Sequence, residues 1–211
     1  AQISGSEAVN GKSFVALSEA PGIATLPIRE GGAWEAHGHE GESHAGEKHA
    51  EGVLAFDPHV WLDPENAKAM AQAVAAALSK VDPANAATYA ANAMALATGI
   101  DATAMQIASG LEPVKARPYV VFHDAYQYFE RRFGLNGVGA ISDVSAQAPS
   151  AERLKDIRDK LAATGAVCVF REPQYDDKVV ATVIEGSAAR AGVLDPLGAG
   201  LTPGPNAYRE L

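Results

Sequence analysis

Histidine is the residue of this sequence with the most chemistry to offer, and its six copies are unevenly distributed. Four of them lie within residues 35–52, together with five glutamates and almost no large apolar side chain: His37, His39, His44 and His49. This composition is typical of a His-rich metal-binding tract. Because the segment cannot bury enough surface to offset its ordering entropy, we expect a mobile loop. The four histidines are candidate low-affinity metal ligands, and a solvated acidic loop is the alternative.

The other two histidines stand beside predicted secondary structure. His59 lies in DPHVWLDP, between two Asp-Pro pairs that predict a stiff turn. A neutral imidazole in such a turn can ligate zinc through one nitrogen while a carboxylate or carbonyl orients the other. His123 follows the apolar run YVVF directly. The structural alternatives are that His59 is a turn histidine hydrogen-bonded to a backbone carbonyl and that His123 caps the next helix.

Two carboxylates also follow predicted strands. Glu172 comes after VCVF and Asp195 after the short run VL. Because functional groups of parallel α/β sheets gather beyond the carboxyl ends of the strands, we expect His123, Glu172 and Asp195 to lie at one edge of the sheet. Helix capping by Asp195 and pairing of Glu172 with Arg171 or Lys178 are the structural alternatives.

The elements that must position these residues follow from spacing and composition. Residues 63–110 are rich in alanine and contain two Asp-Pro pairs, which predict helices over Pro64–Lys80 and Pro83–Ser109. The short run SFVAL at residues 13–17 predicts a strand. From residue 114 onward strands alternate with helices: strands at 119–122, 138–141, 166–170 and 193–194, and helices at 125–133, 150–163 and 176–191. This alternation predicts an α/β fold with a mainly parallel sheet that carries helices on both faces.

Composition and charge argue against several classes of partner and of chemistry. The chain has 211 residues and a net charge of −9, which argues against nucleic acid or an anionic membrane as partner. No apolar run approaches about 18–20 residues, so we expect no membrane insertion. Cys168 is the only cysteine and lies in an apolar strand, where burial makes it a poor nucleophile. The residues alone therefore predict an α/β protein with a His/carboxylate metal site and a His-rich loop.

Several longer segments resemble a known family. DPHVWLDPENAKAMA at 57–71, VFHDAYQYFERRFGL at 121–135, CVFREPQYDDKVV at 168–180 and VLDPLG at 193–198 occur in that order, and SEAPGI precedes the His-rich loop. Together they resemble the ZnuA-type solute-binding proteins, the periplasmic zinc-binding components of high-affinity zinc ABC importers.

This resemblance implies two α/β lobes joined by one long rigid helix, with the metal in the cleft between them. Residues 1–82 would then be a remnant of the N-terminal lobe, 83–112 the connecting helix, and 113–211 the C-terminal lobe. It makes His59 and His123 zinc ligands, and it makes Asp195 a residue that lines the site and can be a further metal ligand. It also implies that zinc(II) is captured in the periplasm and delivered to the importer's membrane permease, without catalysis. Cys168 matches a cysteine that in some members pairs with a second one, which this chain lacks.

One departure from the family is large. Similar proteins have a longer N-terminal lobe that supplies another histidine ligand, and nothing in residues 1–34 matches it. We therefore expect a fragment whose site is weakened, open to water, or completed by a loop histidine or a neighbouring molecule.

Three other functions remain open. A manganese-binding member of the same family would prefer more oxygen ligands than this set offers. A zinc-dependent hydrolase would use Glu172 as a base on metal-bound water. A metal-buffering protein without a transporter is a further alternative.

Overall fold

The computed structural model describes residues 14–29, 34, 55–144 and 149–211. The described residues form a sheet of four strands, which are β1 Tyr119–His123, β2 Gly137–Ser142, β3 Cys168–Arg171 and β4 Arg190–Val193. They also form helices, which are α1 Pro64–Val81, α2 Ala86–Leu111, α3 Gln127–Phe133, α4 Ala151–Thr164, α5 Asp177–Ile184 and α6 Ala207–Glu210. Short 3₁₀ helices span Leu17–Glu19, Val60–Leu62 and Pro83–Asn85. Within this part of the chain, no helix is both long and apolar enough to cross a lipid bilayer.

The sheet is parallel throughout, with the strand order β2-β1-β3-β4. Val120 of β1 pairs with Val169 of β3, and His123 at the end of β1 pairs with Ser142 of β2. The chain runs from β1 to β2 on one side and then crosses to β3 on the other. The crevice beyond the ends of β1 and β3 is therefore a topological switch point, the usual ligand site of such sheets.

Both faces of the sheet are covered, which confirms the predicted fold class. Val120 and Phe122 of β1 point to one face and pack with Ile157 of α4 and Val180 of α5. Val121 between them points to the opposite face, as the two-residue period of a strand requires. The core on that opposite face contains Leu26, Val60, Leu62, Tyr126 and Tyr128.

The two alanine-rich helices form where the Asp-Pro pairs predict them. The Asp63 side chain accepts a hydrogen bond from the backbone N–H of Glu65, and Pro64 is the first residue of α1. After the 3₁₀ turn Pro83–Asn85, α2 runs for 26 residues, about 39 Å at 1.5 Å per residue. The helices α1 and α2 pack against each other, and Lys68 pairs with Asp101 across them.

Two predicted elements are wrong. The helix expected over 176–191 ends at Ile184, because Glu185 leaves the helical region and Gly186 takes φ +76°. Arg190–Val193 pairs with β3 instead, so tertiary pairing overrides the helical composition, and the last strand comes earlier than 193–194. The strand expected at 13–17 is absent from residues 14–17, since no strand of the described sheet lies beside them.

Candidate metal centre

His123 and Glu172 meet where the sheet rule predicts a site. His123 ends β1 and Glu172 follows directly on β3, the neighbouring strand. The Nδ1 atom of His123 lies 2.7 Å from each carboxylate oxygen of Glu172. Both residues are buried, with exposed fractions of 6% and 1%. The carboxylate thus fixes the orientation of the imidazole.

His59 has a carboxylate partner of its own, two residues before it. One oxygen of Asp57, Oδ1, accepts from the backbone N–H of His59 at 3.0 Å and lies 2.7 Å from its Nδ1 atom. The turn is anchored on both sides. The backbone N–H of Asp57 donates to the Leu26 carbonyl at 2.9 Å, and the Asn66 side chain donates to the Val60 carbonyl at 3.0 Å. His59 therefore has a fixed ring orientation.

The two imidazole rings face each other through their remaining nitrogens. The Nε2 atoms of His59 and His123 lie 3.2 Å apart. With each Nδ1–H donating to its carboxylate, both Nε2 atoms present lone pairs, and a cation between the rings could bind to both.

Asp195 lies in the turn that follows β4, close to the His59 turn. The indole N–H of Trp61 donates to the Pro196 carbonyl at 3.0 Å and joins the two turns. The Asp195 carboxylate accepts from the Gln174 amide at 2.7 Å and from the backbone N–H of Leu197 at 3.2 Å. Although burial acts in the opposite direction, these hydrogen bonds hold the pKa of Asp195 below its ordinary value.

The remaining predicted ligands are not all assembled. His37, His39, His44 and His49 lie outside the described residues, as does the whole segment 35–52. Within residues 14–29, 34, 55–144 and 149–211, no group of three or more His, Cys, Asp or Glu side chains is arranged to hold a metal ion. Of the candidate ligands, the described residues therefore bring together the histidine pair, with Asp195 in a neighbouring turn.

A buried cluster of charged side chains surrounds Asp124, the residue that follows His123. Arg29 donates to both carboxylate oxygens of Asp124 and also pairs with Glu130 at 2.5 Å. Burial raises the pKa of Asp124 and of Glu130, although Arg29 opposes this change. The Trp34 ring lies 3.5 Å from the guanidinium carbon. The cluster fixes the N-terminal segment against the start of α3.

Asp57 and Arg29 were not identified from the sequence, and the base role considered for Glu172 does not fit the structure. Asp57 was detectable, since a carboxylate two residues before a turn histidine is well placed to reach its Nδ1 atom. Arg29 was not, because its partners lie about a hundred residues away. Glu172 lies against the Nδ1 edge of His123, so it is not placed to act as a base on the Nε2 side of that ring. Burial raises the pKa of the Cys168 thiol, in agreement with its predicted lack of reactivity.

The chain is similar to zinc-uptake proteins along most of its length. Residues 4–211 match the family model described as zinc-uptake complex component A, periplasmic. The high-affinity zinc uptake system protein ZnuA of Brucella abortus (strain 2308) is 44% identical over 221 aligned residues, covering 95% of this chain and 66% of that protein. The protein of the same name from Paracoccus denitrificans (strain Pd 1222) is 49% identical over 156 residues, covering 74% and 48%.

Solved structures agree with these relatives. A Zn(II)-bound variant of AdcAII from Streptococcus pneumoniae superposes with a TM-score of 0.63 at 29% identity, covering 74% of this chain and 58% of that one. This chain spans 66% of the length of the Brucella relative. The match over nearly all of its residues confirms the resemblance given by the motifs: the chain belongs to the family of the periplasmic component A of zinc-uptake complexes.

Proposed function

We propose that this chain binds Zn²⁺ between the Nε2 atoms of His59 and His123, as cargo for an ABC-type zinc importer. The observation that carries the proposal is the 3.2 Å separation of these two atoms, with both Nδ1 atoms held by carboxylates. Hydrogen bonding of the second ring nitrogen to a carboxylate is the usual environment of a metal-binding histidine.

The separation fits zinc geometry. Zn–N bonds of about 2.0–2.1 Å that meet at the tetrahedral angle place two ligand nitrogens about 3.3–3.4 Å apart. The observed pair needs a change of only about a tenth of an ångström to accept the ion. The pair is therefore close to its bound geometry, which limits the cost of reorganisation on binding.

The charges around the pair also favour a divalent cation. Asp57 and Glu172 are each 1% exposed, and within the described residues neither forms an ion pair with Lys or Arg. Two buried carboxylates thus lie directly behind the imidazole pair, with no Lys or Arg paired to them in this part of the chain. Since burying an unpaired charge is costly, an ion of charge +2 between the rings stabilises the site.

Zinc is the better candidate than manganese, because imidazole nitrogen suits a borderline-soft ion and manganese prefers oxygen. We propose Asp195 as a third ligand, which requires its carboxylate to exchange the Gln174 amide for the metal. Water, a loop histidine or a neighbouring molecule would complete a four-coordinate site.

The hydrolase alternative has less support. It requires a base near the open coordination position, and Glu172 lies on the other edge of the His123 ring. Family membership also favours transport. Periplasmic capture, delivery to the membrane permease, and the division into 1–82, 83–112 and 113–211 are part of the same proposal, supported by the zinc-uptake relatives.

The histidine pair can be tested by zinc titration calorimetry. We expect His59→Ala and His123→Ala each to abolish the tight site, whereas Asp195→Ala lowers affinity and Tyr89→Phe, remote on α2, has no effect. Tight binding that survives both histidine changes would contradict the proposal. Delivery is tested by zinc transport through the importer reconstituted in liposomes, with and without this protein.

For the loop histidines His37, His39, His44 and His49 we propose low-affinity capture that raises the zinc concentration near the pair. Deletion of residues 36–50 should then remove the additional zinc bound at micromolar concentrations and leave the tight site. An unchanged stoichiometry would show that the loop binds no zinc.

A further inference from the structure

Three consecutive residues at the start of α3 contact the partners of both histidines. The Tyr126 hydroxyl donates to Glu172 Oε1 at 3.3 Å. With its amide oriented so that the NH₂ group faces the two oxygens, Gln127 donates to Asp57 Oδ2 and to the Pro27 carbonyl, each at 3.0 Å. The Tyr128 hydroxyl donates to the Asp57 carbonyl at 2.7 Å.

Helix geometry explains how one turn reaches two separate carboxylates. Successive helical residues point about 100° apart, so three in a row cover more than half of the circumference. Tyr126, at the boundary of α3, is directed to the β3 side, where Glu172 lies. Gln127 and Tyr128 are directed to the side of the Asp57 turn. Because α3 follows β1 closely, the same turn is also fixed relative to His123.

These contacts use the carboxylate oxygens in a way that restrains each group. Asp57 binds the His59 imidazole through Oδ1 and Gln127 through Oδ2. Rotation of this carboxylate would therefore break one bond or the other. Both oxygens of Glu172 lie 2.7 Å from His123 Nδ1, and Tyr126 donates to one of them, Oε1, which restrains rotation of this carboxylate too. Both carboxylates are buried, so water does not readily replace a lost donor.

We infer that Tyr126 and Gln127 are positioning residues for metal binding: by orienting Glu172 and Asp57 from one helical turn, they set the tautomers and the Nε2 separation of the histidine pair. The inference rests on the proposed function of that pair, but its structural part holds for the metal-free protein too. Tyr126 acts on His123, and Gln127 acts on His59. The two effects are therefore separable by mutation.

The test uses ¹⁵N chemical shifts of the imidazole nitrogens in the metal-free protein, followed by zinc competition titration. Gln127→Met removes the donor while keeping the side-chain length, and Tyr126→Phe removes one hydroxyl. Tyr89→Phe is the matched control: Tyr89 lies on α2, and its hydroxyl donates to Asp82 at 2.7 Å. We expect Gln127→Met to shift the His59 nitrogens and Tyr126→Phe to shift those of His123, with zinc binding weakened up to about 10-fold in each, the lower end of the range for direct partners of a ligand.

Each result bears on a distinct claim. Imidazole shifts that are unchanged in both variants would overturn the inference. Equal shifts of both histidines in each variant would also overturn it, because a general loss of packing would produce that result. If the shifts move as expected while wild-type protein binds no zinc, the positioning role stands and the proposed cargo is wrong. Zinc affinities equal to wild type in both variants, with zinc bound at the pair, would also overturn the inference.

Discussion

The Nε2 atoms of His59 and His123 lie 3.2 Å apart, although 64 residues separate them in the chain. Each ring is oriented by a buried carboxylate on its other nitrogen, Asp57 for His59 and Glu172 for His123. The pair is thus built symmetrically from two elements, a stiff Asp-Pro turn and the end of a parallel strand. Neither element brings both histidines by itself, and their packing creates the pair that we propose as the zinc site.

The carboxylates that orient the two imidazoles should also contribute to zinc affinity. Asp57→Asn and Glu172→Gln keep the side-chain shape but remove the charge that orients and polarises each imidazole. We expect each to weaken zinc binding roughly 10–100-fold, measured by competition with a chromophoric chelator. Asp159→Asn, which changes an exposed pair with Lys155, is the control. Wild-type affinity in both variants would show that the carboxylates have no such role.

The Tyr128 hydroxyl connects three parts of the chain and should contribute to stability. It accepts from the Leu26 backbone N–H at 2.9 Å and donates to the Asp57 carbonyl at 2.7 Å. Tyr128→Phe leaves both buried groups without this partner, so we expect a loss of about 1–3 kcal/mol in the free energy of unfolding. Urea denaturation measures this loss. A change below about 0.5 kcal/mol would mean that the two groups find other partners.

The Arg29 cluster should be costly to break. Arg29→Met leaves Asp124 and Glu130 buried without their cation, and we expect a loss of about 3–5 kcal/mol at neutral pH. Burial already raises the pKa of both carboxyls, and removing the guanidinium raises it further. The folded variant then binds protons more readily than the unfolded chain, so its stability deficit should shrink as the pH falls from 7 to 5.

The control for this experiment is Arg132→Met. Arg132 pairs with Asp63 at the surface, where its side chain is 37% exposed. Such a pair contributes below about 1 kcal/mol. A deficit in Arg29→Met that is as small as in the control, or that does not change with pH, would contradict the role assigned to the cluster.

The junction between α1 and α2 provides a pH test away from the metal site. Hydrogen bonds from Asn85 and Tyr89 hold the pKa of Asp82 below its ordinary value. A carboxyl whose pKa is lowered by folding stabilises the protein above its unfolded pKa, and this contribution is lost as the pH falls through the folded value. The stability difference between wild type and Asp82→Asn should therefore be constant near neutral pH and shrink as the pH falls from about 4 through the lowered folded pKa. A difference that is the same at about pH 2 as at about pH 6 would contradict this assignment.

Much of the fold was predictable because it depends on local signals. Asp-Pro pairs begin α1 and precede α2, and the apolar run at 119–122 forms the central strand. Functional groups of parallel sheets gather beyond the carboxyl ends of the strands, and this rule correctly predicts that His123 and Glu172 lie at one edge of the sheet. Where a local signal competed with pairing, as at Arg190–Val193, composition gave the wrong element.

The geometry of the site was less predictable, since it depends on contacts distant in sequence. No spacing rule indicates that the His59 turn packs onto the end of β1, and only the family resemblance placed both histidines in one site. Arg29, with partners about a hundred residues away, gave no signal at all. The position of Glu172 behind His123 follows from strand register, which composition does not specify.

The central claim is that one zinc ion binds between His59 and His123. Its most direct test is anomalous diffraction at the zinc absorption edge from crystals grown with one equivalent of zinc. We predict an anomalous peak between the two rings, about 2.0–2.1 Å from each Nε2 atom. A zinc peak elsewhere, with the histidine pair empty, would contradict the account.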